Sequence, residues 1–242
     1  MSAGTERDGV NRLLDGLPRK DRHRTLERCE TVDLVLGDTL CERDEPLQHV
    51  YFPLSGFISL VTTVGGHKPL ELGLIGSEGM LGVTLILGVD TAPQRGIVQG
   101  SGTALRMSKQ HFDRERSESP NLMRSLNRYL YMWMAQLSQS TACTRFHAVE
   151  ARLARWLLMT HDRAHADHFH LTHEFLAGML GVRRSAITIA AGSLRGRRLI
   201  RYARGEIRIL DRQGLEAASC ECYGAVRAHY TRAFTLREMR RD

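Results

Sequence analysis

The stretch "EFLAGMLGVRRSAITIAAGSLRGRRLIR", residues 174–201, decides how the chain is read. It holds six arginines and one acid, yet Leu176, Leu180, Val182, Ile187 and Ile189 recur in it as if filling a core. Helix, turn, helix over 173–192 reconciles the two. Leu176, Leu180, Val182 and Ile187 then face one another across two helices, and Ala177 is small where the helices cross closely. Gly181 sits at the sharp turn, where a left-handed backbone costs glycine least. The second helix begins at about Arg183. Its exposed start presents Arg183, Arg184 and Ser185, with Thr188 a turn further on, at the end that enters a DNA major groove.

The next residues, "LIRYARGEIRILD" at 199–211, read as two strands around Arg204-Gly205. Such a hairpin is a wing, and it brings Arg201, Arg204 and Arg208 near phosphates, whose neutralisation supplies most nonspecific affinity. The stretch is therefore expected to bind double-stranded DNA, with Arg183, Arg184, Ser185, Thr188, Arg201 and Arg204 as contacts.

Charge separates this region from the rest. The 242-residue chain carries a net charge of +7, which favours a polyanionic partner. Residues 171–211 hold eight arginines against three acids, whereas residues 30–110 hold nine acids against five bases. Two domains with different partners follow from that asymmetry. The five cysteines are odd in number and scattered, which fits a reduced thiol set better than a disulfide framework. There is no apolar run long enough to span a membrane and no signal-peptide pattern in the first twenty residues, so the expectation is a cytoplasmic protein with no membrane partner.

Upstream, residues 11–30 have helical spacing broken at Gly16-Leu17-Pro18, which predicts two short helices. From Val32 the period changes. "VDLV", "HVYF", "FISLVTTV", "PLELGLI", "GIVQ" and "TALRM" are short β-branched or aromatic runs, and turn residues at Gly37-Asp38, Pro53 to Gly56, Gly65-Gly66 and Ser101-Gly102 separate them. That pattern predicts an antiparallel sandwich or barrel. Ser119 then suits a helix cap and Pro120 a first helical position. Leu122, Leu126, Tyr129, Leu130, Trp133 and Leu137 follow at steps of three and four, giving an amphipathic helix of about six turns. Its seam, widened by Tyr131 and Trp133, predicts a homodimer helix. A second helix, "FHAVEARLARWLLMTHDR", follows a bend near Thr144–His147.

The expected fold is α+β. An N-terminal antiparallel β jelly roll spans 11–118 and a dimerisation helix 119–144. A winged helix-turn-helix spans 145–215 and a C-terminal tail 216–242.

With these parts in order, the chain resembles the Crp/Fnr family of transcription regulators. The resemblance rests on "LVLGDTLCERDEPLQHVYFPLSGFISLV" (34–61) and, more specifically, on "LTHEFLAGMLGVRRSAITIA" (171–190). It implies a cyclic-nucleotide-binding-like sensor, a homodimer on a palindromic operator, and contact with RNA polymerase. Departures from the family pattern matter. Arg184 matches the first arginine of its second helix, but Ser185 replaces an acid and Ile189 a later arginine. An acid accepts from cytosine N4, so its loss changes base preference. Arg198 stands where the family often has glycine before Leu-Ile, so either the helix ends early or Arg198 is strained.

In the sensor, Gly82 is followed by Val83, which removes the carboxylate that the family uses for a ribose hydroxyl. Arg95 is followed by Gly96 where the family has serine. The effector pocket around Gly82, Val83 and Arg95 is therefore expected to take another small molecule or none. A cyclic-nucleotide-responsive activator is the alternative.

Other constellations carry less. His161 and His165 are four apart, within the run His161, His165, His168, His170 and His173, but no third ligand stands at metal spacing. Cys220-x-Cys222 is a two-ligand fragment, Cys29 and Cys41 are too few for an iron–sulfur cluster, and His49 beside Tyr51 is not a haem ligand. No metal, cofactor or catalytic residue is expected. A cupin-like metal-dependent enzyme would need a histidine and carboxylate cluster on the strands, which hold only His49.

Overall fold

The computed structural model describes residues 9–66, 68–164 and 166–235. They form two compact units, one of residues up to Ile58 with Ile75–Leu130, the other of Ser59–Leu74 with residues from Tyr131 on.

The first unit opens with α1 (Arg12–Asp15) and α2 (Arg19–Glu27), parted at Gly16-Leu17-Pro18 as the sequence predicts. Buried Asn11 caps α1, and its amide nitrogen donates to the carbonyls of Pro53 and Gly79 at 3.0 and 2.9 Å. The strands up to residue 108 are β1 (Glu30–Leu34), β2 (Thr39–Cys41), β3 (His49–Pro53), β4 (Phe57–Thr62), β5 (Leu70–Ile75), β6 (Arg95–Gly100) and β7 (Gly102–Ser108), and most of β4 and β5 belongs to the second unit. They make a three-stranded sheet, β1-β7-β3, and a four-stranded sheet, β2-β6-β4-β5. Central β7 runs antiparallel to both neighbours, with Ala104 opposite Val32 and Leu105 opposite Phe52. Val50, Phe52, Ile58, Val98, Ala104 and Met107 are buried in the core, and β3 and β4 are buried along almost their whole length. Strand β2, "TLC", was not predicted, because three residues show no alternation.

Helix α3 (Lys109–Glu118) follows β7 and carries Glu115 inward. That wholly buried carboxylate accepts from Arg24 Nε at 3.1 Å and Thr25 Oγ1 at 3.0 Å and pairs with Arg28 at 2.6 Å. A buried charge held this way is tolerable only because its lone pairs are satisfied.

Ser119 Oγ then accepts from Leu122 N–H at 3.2 Å, and Pro120 opens α4 (Pro120–Phe146). Along it the structure corrects the expected seam. Leu122, Leu126, Tyr129 and Trp133 are buried by their own chain. The ring of Tyr129 lies where a Cβ at Gly79 would sit, and that of Trp133 where one at Gly73 would. Tyr131, counted with that seam, is instead 62% exposed. It belongs to a different stripe, Asn127, Tyr131, Met134, Ser138 and Thr141, exposed at alternating steps of four and three.

The second unit continues with α5 (Val149–Ala164), β8 (His168–His170), α6 (His173–Leu180), α7 (Arg184–Gly196), β9 (Ile200–Ala203), β10 (Glu206–Ile209), α8 (Arg212–Ala218) and α9 (Cys222–Thr235). The strands pair in the order β8-β10-β9. Leu153, Leu157, Leu176, Ile187, Leu194, Ile200 and Ile207 are buried in it. Beyond 215 the described residues finish α8 at Ala218, break at Ser219 to Glu221 and form α9. No helix among the described residues is long and apolar enough to cross a membrane.

Candidate nucleic-acid interface

The helix-turn-helix is built by its caps. Thr172 Oγ1 accepts from Phe175 N–H at 3.1 Å and starts α6. Gly181 ends it in the left-handed region at φ 64°, with Val182 N–H donating to the Ala177 carbonyl at 2.9 Å. A side chain at this φ would be strained, and a Cβ would also meet Leu70 at 2.8 Å. The chain then extends through Arg183 and enters α7, whose first N–H groups no side chain caps. An uncapped helix N-terminus carries partial positive charge and free donors, which suit a phosphate.

Along α7, Ile187, Ala190, Ala191 and Leu194 point inward. Arg184, Ser185, Thr188 and Ile189 are exposed. Ile189 is 74% exposed, which removes it from the core that its apolar character suggested and puts it on the outer face with Arg184 and Ser185. Val182 is only half-buried.

Thr188 Oγ1 donates to the Arg184 carbonyl at 3.1 Å and lies 3.0 Å from His173 Nδ1. His173 in turn stacks on Tyr202, with centroids 4.4 Å apart and planes 12° from parallel. Burial, and then the Arg184 charge, hold its imidazole below the ordinary histidine range. His173 thus ties α6 to α7 and β9, a role missed when it was counted with a loop of histidines. Its place beside the Thr172 cap was the available signal.

The wing has the predicted shape. Arg204 at φ 52° and Gly205 at φ 84° are consecutive left-handed residues, the pattern of a two-residue type I′ hairpin turn. Arg201 and Arg208 are exposed and stand directly opposite each other on β9 and β10. Like charges facing across strands repel, and an anion bound between them relieves that repulsion. Helix α7 ends at Gly196, and Arg198 adopts φ 59°, so both outcomes foreseen for the Arg198 position occur together.

The other predicted residues resolve differently. Gly82 adopts φ 98° before a short 3-10 helix, Val83–Leu87, and a Cβ there would meet Val50 at 2.9 Å. Arg95 is half-exposed on β6, its Nε 3.1 Å from Glu42 and its guanidinium donating to Thr39 Oγ1 at 2.9 Å. His161 accepts from Arg212 at Nδ1 and has Nε2 2.8 Å from Asp167, so both ring nitrogens are engaged within the protein. His165 lies outside the described residues. His170 pairs with Glu206 at 2.7 Å.

Comparison with known proteins agrees with this geometry. Residues 31–119 match the model of the cyclic nucleotide-binding domain, and residues 151–218 match that of the Crp-like helix-turn-helix domain. No curated protein matches the sequence. Among solved structures, the chain is similar to FixK2 from Bradyrhizobium japonicum, with TM-score 0.67 and 13% identity over 79% of this chain and 98% of that one. It is also similar to a Crp/Fnr-family transcriptional regulator from Eubacterium rectale, with TM-score 0.68 and 16% identity over 85% and 96% of the two chains. A third likeness is to a CRP/FNR-family regulator of Thermus thermophilus, with TM-score 0.66 and 22% identity over 78% and 98%. With a cyclic nucleotide-binding domain, a long helix and a Crp-like helix-turn-helix in that order, the chain belongs to the Crp/Fnr family of transcription regulators.

Proposed function

We propose that this regulator binds a two-fold symmetric operator as a homodimer, with α7 in the major groove and the wing on the backbone. The observation that carries the reading is the outer face of α7: Arg184, Ser185 and Ile189 are exposed together at the helix start. Arg184 has the planar fork that donates to guanine N7 and O6. Ser185 replaces an acid, so no carboxylate there demands a cytosine. Ile189 is apolar and suits a thymine methyl. Arg183, Arg201 and Arg204 neutralise phosphates, and Thr188 holds the helix at its angle.

Dimerisation through α4 is supported by the stripe at Asn127, Tyr131, Met134, Ser138 and Thr141. Ser138 and Thr141 donate to the carbonyls of Met134 and Leu137 at 2.9 and 3.0 Å. Hydroxyls satisfied on their own helix cost little to desolvate, and small residues let a second helix approach. The dimer acts in the cytoplasm on DNA and RNA polymerase. Its sensor takes a small molecule other than an ordinary cyclic nucleotide, or none, since Val83 offers no carboxylate and Arg95 pairs with Glu42. It is a regulator and not an enzyme.

Selection of bound duplexes from a random pool tests the proposal. The expected result is an inverted repeat with half-site centres one helical turn apart, about 34 Å, and a guanine in each half-site that depends on Arg184. Recovery of unrelated sequences with no repeat contradicts it.

A further inference from the structure

The C-x-C fragment is completed by the fold. Cys143 near the end of α4 and His147 just after it are four residues apart, so they project to one side. Cys220 and Cys222 flank the start of α9. All four ligand atoms lie within 4.8 Å of one another, and the three cysteines are buried. Cys143 Sγ is 3.5 Å from Cys220 Sγ, and Cys222 Sγ is 3.4 Å from His147 Nδ1. We propose that Cys143, His147, Cys220 and Cys222 form a mononuclear zinc site that clasps the end of α4 to the start of α9.

The distances fit a single tetrahedral ion, and the donor set suits zinc. Zinc held at about 2.3 Å from thiolate sulfur puts the edges of its tetrahedron at about 3.8 Å. The Cys143–Cys220 and Cys222–His147 pairs, at 3.5 and 3.4 Å, fall near that value. An iron–sulfur cluster spreads its thiolates over several irons and needs a wider cage. Three thiolates and one imidazole are a closed, structural donor set for zinc.

The surroundings are also those of a metal site. His147 presents Nδ1 to the sulfurs while its Nε2 lies 3.1 Å from Glu221, the carboxylate partner that orients a ligating imidazole. Gln139 Nε2 donates to Cys222 Sγ at 3.0 Å. Three thiolates on a divalent ion leave one net negative charge. Arg155, whose guanidinium donates to Ser140 Oγ at 3.3 Å, keeps its Nε buried without a hydrogen-bond partner. On binding, zinc displaces the thiol protons to solvent and no electron is transferred.

The site stands independently of the DNA reading, and the full-length chain tests it. The purified, reduced protein should carry one zinc per chain. After removal of the metal by a chelator, cobalt(II) should give the intense visible bands of a four-coordinate thiolate complex, and zinc should bleach them. Cys220→Ser should abolish the bands. Glu221→Gln should weaken binding about 10–100-fold, the cost of losing the partner of a ligating histidine. If Cys220→Ser does not fold, alkylation of the wild-type chain decides instead: zinc should protect Cys143, Cys220 and Cys222 together and leave Cys29 and Cys41 unchanged. The assignment is overturned by a wild-type chain that gives no cobalt bands, by bands that survive Cys220→Ser, by protection of fewer than three thiols, or by iron and labile sulfide at these residues.

Discussion

At the residue scale, Glu71 is the clearest case of an environment setting a property. Its carboxylate accepts from Ser59 Oγ at 2.7 Å and from Trp156 Nε1 at 2.8 Å, and burial pushes its pKa up to about 7. An acid whose folded pKa is raised contributes its stability below its unfolded value, and loses it as pH rises through the folded one. The loss therefore spans about pH 4.5 to 7. Glu71→Gln keeps both partners, with the amide oxygen accepting from Trp156 and the amide nitrogen donating to Ser59. It should stabilise the chain at pH 8 by about 2 kcal/mol, less than the full shift implies because the side chain is partly exposed. The gain should vanish near pH 5. Denaturant unfolding at the two pH values measures this, and a gain equal at both refutes the assignment. Single residues were unevenly legible. Gly181 and the Arg204-Gly205 turn could be read because local backbone geometry demands those residue types. The partnership of Cys143 and His147 with Cys220 and Cys222 could not, because its halves lie more than 70 residues apart and neither half is a motif alone.

At the element scale, α4 shows what periodicity does and does not contain. Steps of three and four correctly marked a helix and a buried face. They could not say what buries it, and Leu122, Leu126, Tyr129 and Trp133 pack within their own chain. The stripe left open has the same spacing but is read less easily, because only Tyr131 and Met134 in it are large and apolar. Their separate roles make a contrast. Tyr131→Asp with Met134→Asp should convert a dimer to a monomer at micromolar concentration while leaving cooperative unfolding intact, as sedimentation and denaturation would report. Leu126→Ala should instead cost about 2–5 kcal/mol of stability, the usual penalty for a cavity in a packed core. A double aspartate variant that remains dimeric removes the stripe from the interface. Short elements escaped for a different reason: β2 has too few residues to show a period, whereas α6, α7 and the β9–β10 hairpin were legible because their caps and turns all lie within forty residues.

At the scale of the whole molecule, charge and architecture agree. The acidic region carries the cyclic nucleotide-binding fold and the basic region the helix-turn-helix, so the division of the chain into these two domains was visible in the distribution of its charges. An effector was not legible, because Gly82, Val83 and Arg95 depart from the pattern of the family. The central claim is that α7 reads bases while the wing holds phosphates. Affinity on a selected duplex and on a scrambled one, measured at several salt concentrations for Arg184→Ala and Arg204→Ala, tests it most directly. Arg184→Ala should lose about 1–3 kcal/mol on the selected duplex and little on the scrambled one. Arg204→Ala should weaken both alike and lower the salt slope by about one unit for each phosphate it no longer neutralises. Equal weakening of both duplexes by Arg184→Ala would make Arg184 a phosphate ligand and contradict the placement of α7 in the major groove.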